Sequence, residues 1–196
     1  MPLPLGHAAL GLLTHECSSK RMISLSSLKV MFFIVVLANL PDLDVIFGLI
    51  LKGNGNAFHR GPTHSLAFAV LMGLVASGLG RFSNLFPKIS FSTCFAIIFS
   101  HTLADLFFTD SPVSLLWPFE IQWAAGFSSL NEVVSSVLFE GYRDVGLIIT
   151  CITMIILIRT IKYLQSDENA FNNVRNLKLE RVLLTLRTSR VRKPKI

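Results

Sequence analysis

Residues 25–51, LSSLKVMFFIVVLANLPDLDVIFGLIL, form an apolar run that the sequence NLPDLD interrupts at residues 39–44. Pro41 disfavours helical backbone at Leu40 and has no backbone N–H to donate. These residues therefore predict a helix that ends at about Leu40, followed by a turn and a short second helix. The interruption also places two carboxylates, those of Asp42 and Asp44, between two apolar halves.

The rest of the chain has the composition of a membrane protein. Of its 196 residues, 52% are hydrophobic and only 15% are charged, and the mean hydropathy is +0.59. Such values exclude an ordinary soluble globular domain. Apolar segments occupy residues 4–16, 25–51, 62–82, 88–108 and 144–164. The first segment reaches only ~20 Å as a helix, which is too short to cross the core of a bilayer.

These segments predict an all-α fold, a multi-pass transmembrane bundle of four to five helices with a broken second helix. Between the last two segments, residues 109–134 contain two prolines, both tryptophans (Trp117 and Trp123) and scattered acidic residues. This composition favours a re-entrant or interfacial stretch. We expect residues 1–165 to form a membrane-embedded domain that holds the site, and residues 166–196 to form a basic cytoplasmic tail.

The basic residues predict the orientation of the helices. In one arrangement, all 18 lysines and arginines except Lys52, Arg60 and Arg143 lie on the same side of the membrane. The positive-inside rule makes that side cytoplasmic. The polar residues at the helix ends then gather at the outer face, and His15 is expected at the cytoplasmic surface.

Seven side chains of metal-ligating type are predicted to meet at this outer face. His101 and Asp105 are four residues apart and share one helix face. Ionisable groups at membrane depth are costly unless they are paired, which makes them functional candidates. The predicted ligands are His7, Asp42, Asp44, His59, His64, His101 and Asp105.

A mixed set of imidazoles and carboxylates suits a divalent ion, with zinc or manganese favoured and iron a further option. More than four ligands would allow one or two ions. Such an ion polarises an ester or phosphoryl oxygen and lowers the pKa of water, which predicts hydrolysis. His59 would complete the ligand shell or act as general base, and Arg60 would orient an anionic substrate.

Plainer interpretations stay open for each motif taken alone. Asp42 and Asp44 could end a helix in the headgroup region, and the loop around His59 and His64 could be an ordinary polar turn. His101 could make a structural hydrogen bond between helices. Nucleic-acid binding by the basic tail is not expected, because the tail has no interleaved aromatic residues.

The motifs GHAALG, LPDLD, HRGPTHSL and SHTLADLFFTDSPVSLLWPF resemble, in this order and spacing, the YdjM-type inner-membrane proteins of bacteria. That family is described as predicted metal-dependent hydrolases and as a bacterial domain of unknown function. The resemblance covers roughly residues 5–135. It implies a multi-pass protein of the bacterial plasma membrane whose divalent-metal site is carried by the seven predicted ligands. An acidic residue that the family has after WPF matches Glu132.

The leading hypothesis is a membrane-bound metal-dependent hydrolase that acts on an ester or phosphoester, either small or lipid-linked, near the outer membrane face. Membrane lipids are its expected surroundings. The alternative is a metal-binding membrane protein without hydrolytic activity, such as a carrier or a stress-related component. The cytoplasmic halves of the helices are apolar, as in MFFIVV, which favours the enzyme.

Overall fold

The computed structural model describes residues 4–19, 27–108, 112–119, 121–123 and 145–166. Within these ranges the fold is all-helical, as predicted, and Val113 and Trp123 form an isolated antiparallel bridge. The proposed tail and Glu132 lie outside the described residues. The α-helices are α1 (Pro4–Ser18), α2 (Leu28–Ala38), α3 (Leu43–Lys52), α4 (Leu66–Phe82), α5 (Phe91–Phe108) and α6 (Val145–Ser166).

The chain divides into two compact units, residues 1–155 and 156–196. The first unit contains α1 to α5 and the start of α6. In the second unit, the described residues 156–166 continue α6. All residues of the candidate site belong to the first unit.

The break predicted at Pro41 is confirmed. Helix α2 ends at Ala38, α3 begins at Leu43, and the two axes are bent by 55°. At its other end α3 stops at Gly53, whose left-handed backbone (φ 65°) suits a residue without a side chain. The bend leaves Asp42 in the turn and Asp44 in the first turn of α3.

Helix α4 begins later than the sequence predicts. The segment Pro62–His64 forms a 3-10 turn, and Ser65 has extended backbone. The Oγ of Ser65 accepts a hydrogen bond from the N–H of Phe68 at 3.1 Å and so caps the α-helix. A start of this helix at residue 62, as the apolar segment 62–82 predicts, is therefore wrong, because the N-cap is Ser65 and α4 begins at Leu66.

Helix α5 is central to the first unit, since α1, α2 and α4 all pack against it. Small residues allow these close approaches. A Cβ atom at Gly11 would lie 2.6 Å from the Cβ of Ala38, and one at Gly73 would lie 3.1 Å from the backbone N of Phe95. The buried core between the helices includes Ile34, Ile97 and Ile98. Lipid tails are as apolar as these side chains, so van der Waals packing is what stabilises the contact in a bilayer.

By length and composition, one described helix, α6, can cross a membrane, and α2 with α3 would provide a second if they form one bent span. Helices α4 and α5 are apolar but shorter. His15, which the sequence placed at the surface, is instead buried together with Glu16. The reason is the helical repeat, because His7, Gly11 and His15 share the face of α1 that packs on its neighbours.

Candidate metal centre

All seven predicted ligands meet at the end of the first unit where α2 ends and α4 begins. They come from three helices, the turn after α2, and the loop before α4. Each has a nitrogen–oxygen contact of 4.0 Å or less with at least one other member of the set. They are His7 of α1, Asp42 of the turn, Asp44 of α3, His59 and His64 of the loop, and His101 and Asp105 of α5.

Four atoms form the tightest part of this cluster. The Nε2 of His64 lies 3.2 Å from the Nε2 of His101, 3.3 Å from Oδ2 of Asp105 and 3.5 Å from Oδ1 of Asp42. The Nε2 of His101 lies 3.3 Å from Oδ1 of Asp42 and 3.9 Å from Oδ2 of Asp105. Ligands bound tetrahedrally at about 2.0–2.1 Å lie about 3.3 Å from one another. These five distances, 3.2 to 3.9 Å, are close to the spacing that ligands of a single tetrahedral ion would have.

The other nitrogen of each ring fixes its orientation. The Nδ1 of His101 donates to the backbone carbonyl of Ala38 at 2.7 Å, because a carbonyl can only accept. The Nδ1 of His64 donates to Oγ1 of Thr63 at 3.1 Å, the Thr63 hydroxyl donates to Oδ2 of Asp44, and the same Oδ2 lies 3.2 Å from Nδ1 of His64. When both rings are neutral, as metal binding requires, each points an Nε2 lone pair at the same place. Partners of this kind, a carboxylate or a carbonyl behind the histidine, are typical of metal-binding histidines.

The carboxylates of Asp42 and Asp105 and the Nε2 lone pairs of His64 and His101 repel one another at these distances. A positive charge between them would stabilise the arrangement. Burial works against protonation of His64, but the surrounding carboxylates outweigh it and raise the pKa of His64 to about 10. Among the described residues, the buried Oδ1 of Asp42 has no hydrogen-bond partner, and neither has the Nε2 of His7. These observations fit a divalent ion, which would satisfy such atoms directly.

Two overlapping groups of ligand atoms could hold a metal ion. One contains Asp42, His59, His64 and Asp105, and in it every ligand atom lies within 4.8 Å of the others. The second contains His7, His101 and Asp105 under the same limit. Asp105 belongs to both groups, and its two oxygens face different histidines, Oδ2 towards His64 and Oδ1 towards His7. A carboxylate in this position can be shared by two ions.

Asp44 lies behind the four central atoms. Its Oδ2 accepts a hydrogen bond from Thr63 Oγ1 at 2.6 Å, and its Oδ1 lies 3.1 Å from Nδ1 of His59. Together with the contact to His64, these bonds use both oxygens of the carboxylate. Asp44 thereby holds the loop before α4 against the start of α3.

The carbonyl of Ala38 has a role that sequence reasoning missed. The last carbonyls of a helix have no partner within the helix, and Ala38 is the final residue of α2. The break at Pro41 therefore frees an acceptor, which His101 uses. The signal in the sequence was the proline, but only the packing of α2 on α5 shows which histidine it serves.

Arg60 lies at the edge of the cluster. Its Nε is 3.9 Å from Oδ2 of Asp105, and its side chain is 12% exposed. Its backbone has a positive φ of 64°, which is uncommon for a residue other than glycine. The carbonyl of Arg60 accepts a hydrogen bond from the N–H of Ser114 at 3.1 Å. The guanidinium thus lies beside the carboxylates with part of its surface open.

Comparison with known proteins agrees with this arrangement. The family model described as YdjM inner membrane protein matches residues 1–167. The chain belongs to the YdjM inner membrane protein family. It is also 34% identical over 96 residues to the inner membrane protein YbcI of Escherichia coli (strain K12), an alignment that covers 46% of this chain and 54% of that protein. The chain therefore spans about half the length of this curated relative. No solved structure matches it significantly.

Membership of this family confirms the resemblance seen in the motifs and supports an inner-membrane location. The matched range includes the whole metal-ligand cluster. Neither name mentions a metal or a reaction, so the evidence for the chemistry comes from the site itself.

Proposed function

We propose that the chain is a metal-dependent hydrolase of the inner membrane that cleaves an ester or phosphoester at the outer face. One observation supports this most directly: the Nε2 atoms of His64 and His101 and the carboxylates of Asp42 and Asp105 are spaced as ligands of one ion. Zinc or manganese suits this donor set. A divalent ion held here would polarise the substrate oxygen and activate water.

The surrounding residues would bind and orient the reactants. His64 is held by Asp44, and His101 by the carbonyl of Ala38, so each ring is fixed before a substrate arrives. Arg60 would orient an anionic oxygen through its guanidinium. His59 lies at the more open side of the cluster, with its Nδ1 4.0 Å from Asp42, and would either complete the shell or accept a proton.

The membrane arrangement that fits this proposal has four to five passes, with the site on the outer face and the C-terminal tail in the cytoplasm. The positive-inside distribution of the basic residues supports it. Labelling an introduced cysteine at Asn56, in a chain whose native cysteines are replaced, tests the side. A membrane-impermeant maleimide should label Asn56→Cys from the outside of intact cells. Labelling that occurs only after the inner membrane is permeabilised would contradict the topology.

A metal-binding protein without turnover is the second candidate, and one observation favours it. The side chains of His64, His101 and Asp105 are fully buried, and four protein ligands around one ion are typical of a structural site. Two features argue against this second candidate. Asp42 is partly exposed (16%) and Arg60 lies nearby, so a substrate could approach the site.

Purified protein in nanodiscs separates the two candidates. Metal content is measured by mass spectrometry, and turnover is measured with p-nitrophenyl butyrate and bis-p-nitrophenyl phosphate. We expect stoichiometric metal, and turnover that EDTA removes and added metal restores. Metal without turnover of either probe would favour the second candidate. His64→Ala should lose the metal, whereas His15→Ala, which removes a buried histidine outside the cluster, should keep it. Equal metal content in both variants would overturn the proposal.

A further inference from the structure

An apolar groove of about 460 Å³ begins next to the metal centre. One wall is the face of α4 from Leu66 to Leu74, and the other wall is made by residues 115–117 and Phe119. Along α4 this face extends for roughly 12 Å. Several of its side chains are exposed in the described structure, among them Leu71 at 59% and Leu74 at 54%.

Two backbone hydrogen bonds join this groove to the site. The N–H of Leu66, the first residue of α4, donates to the carbonyl of Leu115 at 2.9 Å. The N–H of Ser114 donates to the carbonyl of Arg60 at 3.1 Å. Leu66, at the start of one wall, therefore lies two residues after His64 in the chain. Leu115, in the other wall, directly follows Ser114, which bonds to Arg60. A ligand in the groove would have its end near the guanidinium.

The charge at this end indicates what kind of ligand fits. The guanidinium of Arg60 is partly open, and its Nε has no hydrogen-bond partner among the described residues. Arginine binds phosphate and carboxylate groups through paired N–H donors. The groove itself is lined by apolar side chains. An anionic head next to a hydrocarbon chain matches both parts, and the inner membrane supplies such molecules.

We propose that the groove binds the acyl chain of a membrane lipid whose anionic head lies at Arg60 and the metal centre, so that the substrate is an anionic, acyl-chain-bearing ester or phosphoester. This inference rests on the proposed function, since it names the substrate class of the same site. The groove holds the chain, Arg60 holds the charged head, and the bond to be cleaved lies beside the cluster.

Photocrosslinking tests this without requiring turnover. The full chain is placed in phosphatidylcholine nanodiscs with phosphatidic acid that carries a diazirine on one acyl chain. Crosslinks are then mapped by mass spectrometry. We expect labelling on residues 66–74 and 115–119. Val70→Trp, which fills the groove, should lower this labelling about tenfold, the change that ~1.4 kcal/mol of lost binding produces.

Helix α4 offers a matched control. Val75 is also exposed on α4 (45%, against 38% for Val70), but it lines a different groove, between α2 and α4. Val75→Trp should leave labelling of residues 66–74 within about twofold of the wild type. Equal loss of labelling in both variants would overturn the proposal, because the tryptophan would then be acting on the fold and not on the groove.

The headgroup is tested by the same probe with and without its charge. Diazirine-bearing diacylglycerol should label the groove about tenfold less than phosphatidic acid, and Arg60→Gln should remove this difference. Equal labelling by phosphatidic acid and diacylglycerol would mean that bulk lipid fills the groove without regard to charge, and it would overturn the inference. Charge-dependent labelling in a protein that binds metal but cleaves neither probe lipid would instead count against hydrolysis and leave the lipid site standing.

Discussion

The two buried histidines of α1 lie on the same face of one helix and have different surroundings. His7 stacks on the ring of His101, with centroids 3.7 Å apart, and its Nε2 lies 3.5 Å from a carboxylate oxygen of Asp105. His15 is buried near the other end of α1, beside Glu16, and belongs to neither group of potential metal ligands among the described residues. Burial of a histidine therefore does not define a site. The convergence of carboxylates and imidazoles from several elements does.

The largest effect is expected at Asp105, which belongs to both ligand groups. Asp105→Asn keeps the shape of the side chain but removes its charge. Metal affinity should fall more than about 100-fold, beyond the range seen for residues that only support a ligand. Competition with a fluorescent zinc indicator measures this. Affinity within tenfold of the wild type would show that Asp105 is not a central ligand.

The removal of Asp44 should have a smaller effect. Asp44→Asn removes the negative charge 3.2 Å from Nδ1 of His64 and weakens the hydrogen bond from Thr63, which in turn bonds His64, but it leaves the four central atoms in place. We expect a 10–100-fold loss of metal affinity, which is typical of groups behind the ligands. The same indicator assay measures it. A loss as large as that of Asp105→Asn would mean that Asp44 binds the ion itself, as the sequence alone suggested.

The pair of histidines on α1 gives a more direct contrast. His7→Ala should lower metal affinity about tenfold, because His7 contacts Asp105. His15→Ala should leave affinity unchanged, although both substitutions remove a buried ring from the same helix face. Mass spectrometry of the loaded proteins adds the stoichiometry. A fall from two ions to one in His7→Ala, but not in His15→Ala, would assign one ion to the group of His7, His101 and Asp105. Equal effects of the two variants would contradict a specific role of His7 in metal binding.

Several features of this site follow from the sequence. Pro41 predicts the break that carries Asp42, and the spacing of four residues predicts that His101 and Asp105 share a face of α5. The burial of His15 did not follow, because it depends on how α1 packs on α2 and α5. The position of Asp44 behind His64 also depends on tertiary contacts, since two carboxylates two residues apart look equivalent along the chain. The start of α4 was misjudged because Pro62 and Ser65 can both begin a helix.

Per pH unit, the change in metal affinity should be no larger than the effect of His7→Ala. The raised pKa of His64, about 10 without a cation, means that the ring is protonated over the neutral range and must release a proton when metal binds. Affinity should therefore fall as pH falls, by about tenfold per unit for one proton released. Titrations with the zinc indicator between about pH 6 and about pH 8, below the pKa of His64, measure how steeply the affinity changes with pH. An affinity independent of pH would contradict displacement of a proton from His64.

X-ray absorption of the zinc-loaded protein tests the central claim most directly. We expect a first shell of nitrogen and oxygen at about 2.0–2.1 Å, with the outer-ring scattering of two imidazoles. In His101→Ala that imidazole scattering should fall to one ring, while in His15→Ala it should equal the wild type. A shell that contains sulfur, or one without imidazole, would contradict a metal centre built from His64, His101, Asp42 and Asp105.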